Sequence, residues 1–340
     1  MKSTTGFLIG ILILLILMAF QPLFGDDQLL FLEGQLVGGY SSLTNGPILY
    51  SHHAKDSMQK PSLGFDYIRK FNNGFRDTGT LAVQYRVAYN ESIKPRFESQ
   101  IYNLYYKHKL PGFDLWMGSN RPAAGLSSYL DNHAALLPDM TMKVFTFDRD
   151  WGAGLDADCG WIRFAASATN GAGMRIYNKK GNYMLAARIG IGDFNKSNYT
   201  LGLSGIHGKV LEAMGYNLGH ANSATGEYTL HPEDYIGADG SLRYLNYFLK
   251  FDALSGQFYN QPARALLVRT GFNLLSEDRL SLEAQYLYSK HAVFNNANLA
   301  ASVTYRITPD LALRALFDYD LRADESKIVG QIYYYKGLGL

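Results

Sequence analysis

Four polar residues lie close together near the middle of the chain, and their types could support hydrolysis. Ser127 and Ser128 offer hydroxyl nucleophiles, Asp131 offers a carboxylate and His133 an imidazole base. Covalent hydrolysis needs such groups within hydrogen-bond reach of one another. One turn of helix would bring Ser128, Asp131 and His133 to the same side, which defines a candidate hydrolase site. The alternative is an ordinary polar loop with no catalytic role.

The elements around this cluster are predicted to be strands. In residues 81–89, apolar side chains at every second position alternate with small or polar ones. An extended chain points successive side chains to opposite faces, so this pattern predicts a strand with one apolar and one polar face. Residues 280–286, 299–307 and 311–319 repeat the pattern. The chain is therefore predicted to be all-β.

The N-terminal segment has the features of an export signal. One positive charge at Lys2 precedes an apolar run over residues 7–20, and Gly25 provides a small residue before two aspartates. The run is shorter than the roughly 20 residues that span a bilayer. We interpret residues 1–25 as a cleaved secretory signal peptide. The alternative interpretation is an uncleaved membrane anchor.

The composition of residues 26–340 favours a transmembrane β-barrel. Charged residues make up only 18% of the chain, and 25 tyrosines and 34 glycines accompany the alternating strands. An exported chain of such strands fits a barrel, since closure pairs every backbone group without a free edge. The net charge of +2 indicates no particular partner.

Strand counting gives an even number, as expected for a barrel whose two termini lie at one end. We expect about sixteen strands, within a range of 14 to 18. Residues 220–240 form a long connection that either hides a hairpin or folds into the interior. The predicted strands cover residues 29–42, 61–71, 77–90, 95–108, 112–119, 150–158, 160–169, 182–193, 197–206, 209–219, 244–259, 263–274, 278–290, 296–307, 310–321 and 326–338.

A barrel of sixteen strands leaves a water-filled interior, whereas eight strands fill their own. When the apolar register of each strand faces lipid, the charged residues face inward. These residues either form ion pairs along the inner wall and keep it hydrated, or they give the interior a weak preference for anions. The predicted inward charges are Arg86, Arg163, Arg188, Lys250, Arg269, Arg306, Arg314, Asp66, Glu98, Asp114, Glu283 and Asp318.

The connection over residues 120–149 is too apolar for a solvated loop. Leu126, Leu136 and Leu137 need a surface to bury against, and the inner wall is the nearest one. We expect this third outward loop to fold inward and narrow the barrel. The alternative is packing at a subunit interface or over the rim. The predicted constriction residues are Arg121, Asp131, His133, Lys143 and Arg149.

These motifs resemble bacterial outer-membrane porins and, more loosely, the phosphate-selective porin O and P family. The resemblance rests on residues 116–118, 121–122, 125–126 and 149–152, where Gly-Pro and Arg-Asp-x-Gly patterns bracket the third loop. Residues 332–340 resemble the C-terminal insertion signal of such barrels. The resemblance implies a sixteen-stranded pore, commonly a homotrimer, that the third loop constricts.

The expected function is passive diffusion of small hydrophilic solutes or ions through a multi-pass barrel in the bacterial outer membrane, with lipid as its other partner. A weak anion preference is one of the alternatives for the lumen charges. We expect no catalytic residues, no cofactor, no metal and no nucleic-acid partner. The competing hypothesis is an outer-membrane hydrolase with a rim site around Ser128, Asp131 and His133.

Overall fold

The computed structural model describes residues 27–49, 60–74, 76–90, 96–126, 135–143, 145–174, 181–193, 197–211, 230–290 and 295–339. The predicted signal segment lies outside these ranges. So does the polar cluster of Ser127, Ser128, Asp131 and His133. Within the described ranges, no helix has the length and apolar character needed to cross a bilayer.

Seventeen antiparallel strands form one sheet. They are β1 (Asp27–Ser41), β2 (Gly46–Ile48), β3 (Ser62–Asn72), β4 (Asp77–Tyr89), β5 (Phe97–Leu110), β6 (Phe113–Asn120), β7 (Asp150–Cys159), β8 (Ile162–Thr169), β9 (Tyr183–Ile191), β10 (Tyr199–Val210), β11 (His231–Tyr244), β12 (Tyr247–Phe258), β13 (Gln261–Leu274), β14 (Leu280–Lys290), β15 (Asn295–Thr308), β16 (Leu311–Asp320) and β17 (Glu325–Gly339). Short 3-10 turns cover Thr141–Lys143 and Ser276–Asp278.

The sheet closes on itself because β1 pairs with β17 along one edge and with β3 along the other. The short β2 pairs with β1 at residues 39–41, on the edge that β3 occupies at residues 27–35. Seventeen strands less β2 leave sixteen positions around the ring. The predicted antiparallel barrel of sixteen strands is therefore confirmed.

The two ends of the barrel differ in their connections. Short turns join most of the strand pairs at the end that holds residues 27 and 339, which we call the terminal end. Gly74, Gly112 and Gly160 adopt φ values of 83°, 87° and 84° in these turns, a left-handed conformation that glycine adopts without steric cost. The longer connections, at residues 42–61, 121–149, 170–182 and 211–230, lie at the opposite end, which we call the loop end.

One predicted strand was misplaced. Residues 209 and 210 end β10 rather than opening a strand over 209–219, and β11 begins at His231, inside the predicted connection 220–240, and ends at Tyr244. Gly208 fits in this strand because it has no side chain. A Cβ atom at residue 208 would lie 2.6 Å from the Tyr183 carbonyl oxygen on the neighbouring β9. Pro232 is accommodated near the start of β11, where its carbonyl accepts the Tyr259 N–H at 2.8 Å. Two compensating errors thus left the strand number correct.

Strand register separates the side chains onto two faces. Large apolar side chains remain exposed on the outward face, including Leu63 and Ile236 at 74% each and Leu36 at 64%. A charge on the lipid face of a barrel costs about 2–4 kcal/mol near the midplane. The apolar outward face is therefore suited to hydrocarbon, and charged side chains of the strand centres are left to the inner face.

Candidate functional site

The first part of the loop over residues 121–149 is bonded to three separate strands of the wall. Backbone N–H groups donate to inward side chains of β8, β10 and β12, so the chain runs along the inside of the barrel. The bonds are Ala123 N to Ser167 Oγ at 3.0 Å, Gly125 N to Ser204 Oγ at 2.9 Å and Leu126 N to Asp252 Oδ2 at 2.9 Å.

Gly125 makes the contact with Asp252 possible. Its φ is 58°, and a Cβ atom there would lie 2.7 Å from Asp252 Oδ2. Any side chain would therefore push the loop away from the carboxylate. The loop fits the wall at this point because residue 125 is glycine.

The second part of the loop is bonded to β13 and β14. Arg269 Nη2 donates to the Pro138 carbonyl at 3.2 Å, and Gln285 Nε2 donates to the same oxygen at 2.7 Å. Arg269 Nε also donates to Gln285 Oε1 at 2.7 Å, which fixes the guanidinium against the wall. Wall donors thus bind loop carbonyls here, whereas wall acceptors bind loop N–H groups at residues 123–126.

Two buried apolar clusters complete the attachment. Leu136 and Leu137 pack against β1 and β15–β17 through Val37, Ala300, Leu316 and Val329. The larger cluster joins loop residues to the inner face of β9–β14. It contains Ala124, Met140, Phe145 and Phe147 from the loop, and Met184, Ala186, Ile206, Val210, Tyr235, Leu254, Phe258, Ala263, Ala265, Leu267 and Leu287 from the wall.

Because these contacts come from strands around most of the ring, the described part of the loop lies inside the barrel. Sequence reasoning expected Leu126, Leu136 and Leu137 to bury against the wall, and they are 1–3% exposed. It did not anticipate the apolar inner face of β9–β14, since it assigned the apolar register of each strand to lipid. Leu266–Val268 is apolar at three successive positions, and this loss of alternation was the available signal.

The predicted inward charges share one register, on the same face as Ser167, Ser204 and Asp252. They are Arg86 and Asp66 on the β3–β4 pair, Glu98 on β5, Asp114 on β6, Arg163 on β8, Arg188 on β9, Lys250 on β12, Arg269 on β13, Glu283 on β14, Arg306 on β15, and Arg314 and Asp318 on β16.

Several of the basic side chains pair with acids that sequence reasoning did not single out. Arg188 forms a bidentate pair with Asp239, at 2.6 and 2.9 Å. Arg163 lies 2.6 Å from an oxygen of Asp193, near the terminal end. Asp239 lies two strands away on β11, and Asp193 lies in the connection after β9, so only the register reveals these partners.

Lys250 differs from these paired residues. It lies directly opposite Arg269 across β12 and β13, and in the described part of the chain no carboxylate is within ion-pair distance of its ammonium. The ammonium lies 5.2 Å from the centre of the Phe248 ring. Two inward cations therefore meet at the point where Arg269 binds the loop.

Three of the predicted constriction residues lie in the described part of the loop, and two do not. Arg149 is buried at 2% exposure, with Nη1 2.5 Å from Asp148 Oδ2 and Nε 2.8 Å from Asn103 Oδ1. Lys143 is also buried, at 4%, and Arg121 is half-buried. Asp131 and His133 lie outside the described residues. The buried Arg149–Asp148 pair carries no net charge, so it presents no free cation to a passing ion.

No known family model matches the sequence, and no curated protein matches it. Solved structures do match its fold. A loop-deletion mutant of OmpT, an outer membrane protein of Vibrio cholerae, gives a TM-score of 0.67 at 11% identity, covering 92% of this chain and all of that one.

Two further structures match over a similar length. Salmonella typhi OmpF, in a complex with daunomycin, gives a TM-score of 0.64 at 10% identity, covering 92% of this chain and 97% of that one. An anion-selective porin from Comamonas acidovorans gives 0.62 at 9% identity, covering 92% of this chain and 100% of that one. Identities this low show the fold alone. This chain therefore has the fold of the outer-membrane porin barrels.

Proposed function

We propose that this protein is an outer-membrane porin, a passive channel for small hydrophilic solutes and ions. The observation that carries the proposal is a loop bonded across the interior of a closed barrel whose inner register holds the charged residues. A loop in this position narrows the path for solutes through the barrel. Barrels of this strand number are wide enough to enclose water.

The charged inner face supports the same proposal. Moving an ionised side chain into a dry interior is very costly unless the charge is paired and hydrogen-bonded. Lys250 has no carboxylate bonded to it among the described residues, and it is only half-buried. Such an ammonium is stable facing water. The inner wall at β12 is therefore expected to be hydrated.

The Lys250–Arg269 pair also supports a weak preference for anions. An anion that passes the loop meets the half-exposed Lys250 ammonium, while the buried Arg269 beside it adds positive charge and Glu283 on β14 opposes it. The electric field of the charged side chains that line a pore helps to determine which ions enter it. The Comamonas acidovorans structure of the same fold is described as anion-selective, which is consistent with this preference.

We further propose that the channel assembles as a homotrimer, as the porin resemblance implies. The outward face of β1, β3–β5 and β17 contains an apolar groove of about 810 Å³. Gly34 leaves part of its floor without a side chain, while Leu36 and Leu63 project beside it. A second copy with projecting apolar side chains fits such a surface.

Planar-bilayer recording tests the proposal directly. The purified protein is expected to give steady ohmic current steps, and each step from an inserted trimer should close in three equal decrements at high voltage. A hydrolase without a water path would give no such steps. Absence of conductance from correctly folded protein would contradict the porin proposal, while closure in one decrement would contradict only the trimer.

Lys250→Gln is expected to lower the anion-to-cation permeability ratio about two- to threefold. A unit charge about 4 Å from a passing ion is worth about 1 kcal/mol in water, and salt reduces this value. The measurement is the reversal potential in a salt gradient. Lys336→Gln is the matched control, because Lys336 lies in the outward register opposite Leu32 and is exposed. Equal reversal potentials for both variants would show that Lys250 does not contribute to ion selectivity.

A further inference from the structure

Two basic residues face each other on the outward surface near the loop end. Arg264 and Lys290 are direct partners in the register of β13 and β14, and both are exposed. Lys290 is the last residue of β14, and Arg264 lies near the start of β13. Both side chains point away from the interior, since the neighbouring Ala265 and Ser289 belong to the inner register.

Like charges directly opposite each other in an antiparallel pair destabilise it. In the described part of the chain, neither Arg264 nor Lys290 has an ion pair or a side-chain hydrogen bond. On the same rim, another directly opposed pair is joined by a hydrogen bond. His207 lies directly opposite Asp234 on β10 and β11, with Nδ1 2.5 Å from Oδ1. An anion from outside the described chain would therefore stabilise the cation pair on β13 and β14.

An apolar strip lies next to this cation pair on the same face. Leu266 and Tyr288 are direct partners two residues nearer the middle of the strands, and Val268 faces Tyr286 beyond them. Two residues along a strand correspond to about 7 Å. The surface thus presents positive charge at the loop end and apolar side chains directly below it, which is the arrangement of polar and apolar parts in a membrane lipid.

We propose that Arg264 and Lys290 bind the phosphate of a phosphorylated membrane lipid. The guanidinium of Arg264 can donate two parallel hydrogen bonds to phosphate oxygens, and Lys290 adds a point charge. The acyl chain lies along Leu266 and Tyr288. A dissolved phosphate would gain the charge contacts but nothing from the apolar strip, so the lipid is the occupant that uses both parts of the site. This site does not depend on the proposed channel function.

The test compares lipid binding by native mass spectrometry of the full-length protein in a neutral detergent. The probes are phosphatidic acid, which carries a phosphate monoester, and phosphatidylcholine, whose head group has no net charge. The wild-type protein is expected to retain phosphatidic acid preferentially. Arg264→Gln with Lys290→Gln should weaken that binding about tenfold or more, since each basic residue near a membrane surface contributes separately.

Three controls make the result decisive. Arg264→Lys with Lys290→Arg keeps both charges and should bind as the wild type does, and Lys336→Gln removes an outward cation from the terminal end. Arg264→Glu places a carboxylate opposite Lys290, so it folds without the like-charge repulsion and should lose the lipid. Unchanged binding by folded Arg264→Glu would overturn the proposal. So would displacement of the lipid by inorganic phosphate at concentrations comparable to the lipid itself.

The outcome is separable from that of the channel experiment. A protein that conducts but binds both lipids equally disproves the lipid site and leaves the porin proposal intact. A protein that binds phosphatidic acid but gives no current steps does the reverse. The variants at residues 264 and 290 are expected to conduct as the wild type does, because both side chains lie outside the lumen.

Discussion

Replacing Leu136 and Leu137 by aspartate is expected to raise the single-channel conductance about twofold or more, since the interior of a barrel this wide is limited by what folds into it. The two leucines are 3% and 1% exposed, and they attach the loop to β1 and β15–β17. Two carboxylates cannot remain in that apolar cluster without a large desolvation penalty. The part of the loop around residues 136 and 137 should therefore detach from the inner wall and widen the channel. Recording of step sizes in planar bilayers measures this effect.

The barrel itself should survive this change. The loop contributes nothing to the hydrogen-bonded ring, which closes through β1, β3 and β17. Leu136→Met with Leu137→Met keeps the apolar contact and serves as the matched control, with an expected cost below about 1.5 kcal/mol per residue. Equal conductance of the aspartate and methionine variants, both folded, would show that the loop does not restrict the path.

The sheet was predictable because its signal is local. Residues 81–89 alternate strictly, and residues 311–319 alternate apart from Leu316, which faces inward; the two segments form β4 and β16 with the expected register outward. Gly74 and Gly112, which lie two residues after the ends of β3 and β5, are a second local signal because turns favour glycine. The number of strands came out right only because the wrongly predicted strand at 209–219 offset the missed β11.

β11 was missed because its sequence contradicts its environment. His231, Pro232 and Glu233 read as a loop, and Gly237 and Gly240 interrupt the apolar pattern. The strand forms because both neighbours supply a complete set of backbone partners, from β10 over residues 199–210 and from β12 over residues 247–258. Tertiary pairing overrides local propensity here.

The candidate site was predictable only in part. The apolar side chains of the loop predict that it packs against the barrel, but they do not predict which strands it contacts. Leu126 and Asp252 are 126 residues apart, and Pro138 and Gln285 are 147 apart. Such pairings follow from ring closure rather than from spacing. The charged inward residues could be assigned to a face, whereas their ion-pair partners could not.

Arg188→Met is expected to lower the free energy of unfolding by about 3–5 kcal/mol, because it leaves a buried carboxylate without its partner. The Arg188 and Asp239 side chains are 4% and 0% exposed, and two hydrogen bonds join them. Urea unfolding of the barrel in detergent micelles measures the loss. Arg188→Met with Asp239→Leu removes both charges and should recover most of it. If the single variant were as stable as the wild type, the pair would not be holding β9 to β11.

Gly202 explains how this pair forms across an intervening strand. Residue 202 lies on β10 between the two partners, and a Cβ atom there would be 2.2 Å from Arg188 Nη2. Gly202→Ala must therefore push the guanidinium away from Asp239, with an expected loss of about 1–3 kcal/mol. Gly205→Ala on the same strand is the matched control, because a Cβ atom at residue 205 meets nothing within 4 Å. Unfolding curves that coincide for the two alanine variants would show that the open space over Gly202 is not what lets Arg188 reach Asp239.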